Sequence, residues 1–116
     1  MADDWARPVV HWEIRARDPQ TMRAFYATMF NWNIGDGAIM QIGPAIGAPD
    51  PITGHILQNE SPGVTLYVQV LDLDASMARA AELGGAKRTD KFDVPGGPTI
   101  AGIADPEGNP IVLVQQ

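Results

Sequence analysis

The sequence predicts an α+β fold in which one unit, a strand, a helix and three further strands, is used twice. Three observations predict it. Two stretches of near-alternating apolar and polar residues, Pro8 to Arg15 and Val64 to Val70, are each followed by a helical pattern. An aspartate heads each helix, Asp18 and Asp72, at a spacing of 54 residues that also sets His11 against Thr65. Glycine (12) and proline (10) make up about a fifth of the chain, which suits short strands joined by tight turns.

In the first unit, Val10, Trp12 and Ile14 share one face of the opening strand. Val9, His11, Glu13 and Arg15 share the other. Asp18 is an N-cap with Pro19 at the first helical position. Met22, Phe25, Tyr26, Met29 and Phe30 recur at helical spacing, which assigns them, with Trp12, to a core between helix and sheet. The helix is expected to end near Asn31. Trp32 to Ile34 and Ala38 to Ile42 are expected as strands around a turn at Asp36-Gly37. Trp32 is open to two assignments, a ligand cleft or a dimer contact. Pro44 to Pro51 reads as a loop, and Thr53 to Gln58 as a strand carrying the second histidine, His55.

In the second unit, Val64, Leu66, Val68 and Val70 lie on one face and Thr65, Tyr67 and Gln69 on the other. Asp72 to Leu83 is a helix capped by Asp72 or Asp74 and stopped by Gly84-Gly85. Lys87 to Val94, Thr99 to Ala104 and Pro110 to Val114 complete the unit as strands. Neither half offers enough core alone. Residues 1–116 are therefore read as a single domain, with module one at about 8–58 and module two at about 64–116.

Composition excludes several functions. Acidic residues outnumber basic ones, 14 to 8, and the basic residues are scattered, so no nucleic-acid partner is expected. There is no cysteine, which excludes disulfides and thiolate chemistry. No apolar run approaches the roughly 18 residues of a membrane helix, and the acidic start, Met1 to Trp5, lacks the regions of a signal peptide. A cytoplasmic protein without membrane contact is expected. A Gly-x-Ser-x-Gly elbow and glycine-rich phosphate loops are absent.

Three stretches carry a family resemblance: HWEIRARDPQTMRAFYATMFNW, VTLYVQVLDLDASMARAAELGG and ADPEGNPIVLVQ. The last is the most specific. From Val9 to Gln115 the chain resembles the vicinal oxygen chelate superfamily of glyoxalase I, bleomycin-resistance proteins, extradiol dioxygenases and methylmalonyl-CoA epimerase. The resemblance implies two βαβββ modules forming an incompletely closed, U-shaped barrel with a central cleft, and commonly a homodimer. Metal-dependent members hold a divalent ion with His, Glu or Gln side chains from the first and last strands of each module. Carried over by position, these ligands fall on His11, near His55, on Thr65, a poor ligand, and on Val112, which cannot bind.

The resemblance therefore leaves His11 and His55 as the metal candidates. It implies a small-molecule binding protein of the glyoxalase/bleomycin-resistance type, without the usual metal triad and with no cofactor. The alternative is a divergent metal-dependent lyase, isomerase or dioxygenase using His11, and a domain serving protein association is a third reading.

His11 reads as a ligand contact, an acid–base group, a metal post or a hydrogen-bonded polar residue. Glu13, about 7 Å further along the same face, either pairs with His11 in acid–base catalysis or stands in water at the cleft mouth. His55 faces either the cleft or the helix, since a slip of one residue in register reverses it. Thr65, Tyr67 and Val112 are expected to line the cleft around a small organic ligand, with Val112 and Val114 as an apolar floor.

Overall fold

The computed structural model describes residues 6–43 and 52–116. The stretch Pro44 to Pro51, expected to be a loop, lies outside the described residues. The fold is mixed α+β, and it divides into two compact units. One comprises residues 11–65. The other comprises residues 66–116 with the described residues up to Val10.

The unit at 11–65 contains most of β1 (Val9–Ala16), then α1 (Pro19–Phe30), β2 (Ile39–Ile42) and β3 (Thr53–Gln58). β3 lies between the other two, parallel to β1 and antiparallel to β2. The Asp18 side chain accepts from the Thr21 amide and caps α1. Pro19 opens the helix, and Asn31 closes it in the left-handed conformation at φ 59°. The expected strand Trp32 to Ile34 is reduced to a single bridge, Ile34 to Ile42. The left-handed turn at Asn31 and the turn entered at Gly35 leave too few extended residues to pair.

The core of this unit is Ile14, Ala16, Ile34, Met40, Ile42 and Ile56, with Trp12, Met22, Tyr26, Ala27 and Trp32 packed against it. Gly54 is fixed by that packing, because a Cβ there would enter the Trp12 indole. The indole N–H donates to the Ile52 carbonyl at 3.1 Å. Trp32 is settled on the helix side: its ring stacks on Tyr26 at 5.4 Å and contacts Trp12 at 5.5 Å.

The assignment of the whole helical stripe to the core needs correction. Phe25, Met29 and Phe30 are 55%, 63% and 51% exposed. The sheet takes the sector of α1 centred on Met22, Tyr26 and Ala27. Phe25 and Met29 fall on the flank of Met22 away from Ala27, and Phe30 ends the helix.

The second unit contains most of β4 (Gly63–Val70), followed by α2 (Leu73–Glu82), β5 (Ala86–Lys87), β6 (Phe92–Asp93), β7 (Thr99–Ala104) and β8 (Pro110–Gln115). β8 runs parallel to β4 and antiparallel to β7, and β5 and β6 both pair with β7. The Asp72 carboxylate accepts from the Ala75 amide and caps α2. The Gln115 amide accepts from Leu73 N–H and donates to the Leu71 carbonyl, joining the head of α2 to the end of β8. Val70, Leu73, Ala101, Ile103 and Leu113 form the core.

The expected strand Lys87 to Val94 is broken into β5 and β6. The amides of Arg88 and Thr89 both donate to the Gly102 carbonyl, so two residues oppose one, as in a bulge. The apolar side of β4 is not uniformly core either: Val64 and Leu66 are exposed, because α2, about 15 Å long, covers the Val70 end. The Asp105-Pro106-Glu107-Gly108-Asn109 motif is a closed turn. Asp105 accepts from the amides of Glu107 and Asn109 and from the Asn109 side chain. Asn109 thereby holds the Asp105 carboxyl below the usual range. Among the described residues no helix is long and apolar enough to cross a membrane.

Candidate functional site

Alternation along β1 sends Trp12, Ile14 and Ala16 toward α1 and leaves His11, Glu13 and Arg15 on the opposite face. The register of β3 extends this face, setting Thr53 beside His11, His55 beside Glu13, and Leu57 beside Arg15. On β2, Gln41 lies beside His55 and Ile39 beside Leu57. Residues paired in register share a face, so these three strands carry a mainly polar wall away from α1. His55 is only 6% exposed, although it lies on this wall.

Four side chains of the wall form a hydrogen-bonded chain. The Thr53 hydroxyl lies 3.0 Å from His11 Nδ1. His11 Nε2 lies 2.6 Å from His55 Nδ1. His55 Nε2 lies 3.0 Å from Glu13 Oε1. With Glu13 ionised, the carboxylate can only accept, so His55 Nε2 carries a hydrogen. A neutral His55 then accepts at Nδ1 from His11 Nε2–H, and His11 accepts at Nδ1 from Thr53. A proton added at His11 Nδ1 reverses the outer bond alone: His11 then donates to Thr53 and still donates to His55.

The His11 imidazole is held below its ordinary value of 6.5. Burial is the main cause, the neighbouring His55 adds to it, and Glu13 opposes it. His11 is therefore neutral near pH 7, with a ring that can accept a proton.

As they stand, these groups do not fit a divalent ion. Two nitrogens bound to one tetrahedral zinc would be about 3.3 Å apart, from zinc–nitrogen bonds of about 2.0–2.1 Å. His11 Nε2 and His55 Nδ1 are closer than that and face each other. Among the described residues no group of three or more His, Asp or Glu side chains is arranged to hold a metal.

The other anticipated residues lie on β4 and β8. Tyr67 and Val112 are register partners across β4 and β8. Both lie on the face away from Leu113 and the α2 core. Thr65, at the start of β4, is buried at 3% exposure.

Two wall residues carried no assignment from sequence, Thr53 and Arg15. Thr53 had no local signal, because its place beside His11 comes from the register of strands about forty residues apart. Arg15 was already placed on the His11 face by alternation, and that was a usable signal.

The glyoxalase-like domain family matches residues 11–114. A glyoxalase/bleomycin resistance protein/dioxygenase superfamily member from Vibrio splendidus 12B01 has a similar structure, with a TM-score of 0.68 at 12% identity over 96% of this chain and 100% of that one. Methylmalonyl-CoA epimerase from Mycobacterium tuberculosis gives 0.61 at 18% identity, over 92% and 86%. An extradiol ring-cleaving dioxygenase from B. fuscum gives 0.64 at 17% identity, over 93% of this chain and 32% of that one. At these identities the likeness is one of fold. No curated protein sequence matches the chain.

Proposed function

Because the chain belongs to the glyoxalase-like domain family, we propose that it binds a small organic molecule on the polar wall of β1 and β3, through His11 and Thr53 and without a metal triad. The observation that carries this reading is the Thr53–His11–His55–Glu13 chain. It engages both nitrogens of each imidazole with protein partners and ends at Thr53, an exposed residue. Thr65 in the one unit, and Tyr67 and Val112 with a ring and an apolar surface in the other, are further ligand contacts in this proposal, each within its own unit.

The test is metal analysis of protein purified without chelators, followed by zinc, nickel and manganese titration of wild type and His11→Ala. Weak binding that ignores the substitution supports the reading. Stoichiometric metal that depends on His11 overturns it and favours the divergent metalloenzyme.

A second reading is acid–base catalysis by His11, assisted by Glu13. It is favoured by the continuity of the same chain: His55 and His11 each regain the proton they pass toward Glu13, Thr53 regains its own from the bound carbon acid, and Glu13 ends protonated. Deuterium uptake from D2O into a bound carbon acid, lost in His11→Gln, is its signature. The paired βαβββ modules, a homodimer and a cytoplasmic location belong to the proposal too. The repeated strand–helix order supports the first, and the exposed apolar residues of α1 support the second.

A further inference from the structure

We propose that Arg15 anchors a carboxylate of the bound molecule, so that the ligand is an organic anion with an apolar body. This rests on the reading of the β1–β3 wall as a binding surface. Arg15 is on the same face of β1 as His11 and Glu13, in the row completed by Leu57 and Ile39. That row is otherwise apolar, and Ile39 is 54% exposed. A half-buried cation at the end of an apolar row, beside Leu57, loses hydration without gaining a counter-charge from that row. The Arg15 Nε is buried and has no hydrogen-bond partner. No ion pair involves Arg15 among the described residues.

The backbone is shaped around this group. Gly63 opens β4 at φ +152°, and a Cβ there would collide with Arg15 Nη2. Glycine therefore satisfies two needs, a backbone angle that side chains disfavour and clearance for the guanidinium. An arginine held in place by its surroundings presents a planar pair of N–H donors, which matches the two oxygens of a carboxylate. The apolar neighbours Leu57 and Ile39 suit the body of such a ligand, and His11 and Thr53, two rows along the wall, suit a polar group at its other end.

The probes are phenylacetate and its neutral isostere phenylacetamide, followed by NMR of the backbone amides and the Arg15 Nε–H. In wild type, phenylacetate should shift Arg15, Leu57 and Ile39 and bind about 10- to 100-fold more tightly than the amide, the range for one hydrogen-bonded charge partner. Arg15→Gln should bring phenylacetate down to the level of the amide, and Arg15→Lys should recover part of the difference. Equal binding of the two probes to wild type overturns the anchor and leaves ligand binding by the wall intact. That comparison needs no variant to fold. No shift on the wall with either probe at millimolar concentration overturns both.

Discussion

His11 and His55 face each other through Nε2 and Nδ1 at 2.6 Å, with ring centroids 4.9 Å apart. The contact joins a half-exposed ring to a buried one, and Glu13 completes it on the buried side at 3.0 Å. The two neighbours pull His11 in opposite directions, since His55 disfavours its cation and Glu13 favours it. His55→Gln should therefore raise the His11 pKa, and Glu13→Gln should lower it further. NMR titration of the His11 ring in the two variants checks this. Shifts of the same sign would break the assignment of causes.

The same perturbation links stability to pH. The folded-state pKa of His11 lies below its ordinary value of 6.5, so the unfolded chain takes up the proton first as pH falls. The contribution of a neutral His11 is fully present above 6.5 and is lost as pH drops from there through the folded-state value. Urea unfolding should show wild type losing stability as pH falls below 6.5. His11→Gln should show a shallower loss over that window. A steeper loss in the variant would contradict the sign.

Much of this arrangement was legible in the sequence. The alternation of β1, the Asp18 and Asp72 caps and the glycine stop after α2 are local signals, and each is found where expected. The direction of His55 was not legible, because it depends on the pairing of β3 with β1 across a long connection. Nor was the sector of α1 that meets the sheet. Periodicity identifies an apolar stripe, but the tilt of the helix decides which edge of it is covered. The break after Lys87 follows from two amides sharing the Gly102 carbonyl, a contact between residues too distant for a local pattern.

Gly54 illustrates a position where sequence shows only a permissive residue and packing supplies the reason. The Trp12 indole occupies the space of its absent side chain. Gly54→Ala should cost about 1–3 kcal/mol, the usual penalty for overpacking a filled core. It should also change the fluorescence of the tryptophans, since Trp12 contacts Trp32. Urea midpoints and emission spectra check both. An alanine tolerated with unchanged emission would mean that the indole does not lie over Gly54.

The exposed flank of α1 predicts an unequal response among residues that the helical repeat treats alike. Phe25 and Met29 are more than half exposed, whereas Tyr26 packs on the core and stacks with Trp32 at an interplanar angle of 10°. Truncating Tyr26 removes ring contacts and opens a gap, so Tyr26→Ala should cost about 2 kcal/mol or more. The double change Phe25→Ser and Met29→Gln removes little buried area. At a concentration where the protein is monomeric, it should shift stability by no more than about 0.5 kcal/mol. If this flank is covered in a dimer, the double change should instead lower stability by an amount that grows with the logarithm of protein concentration. Denaturation at two concentrations separates these outcomes, and a large loss at both would return Phe25 and Met29 to the core.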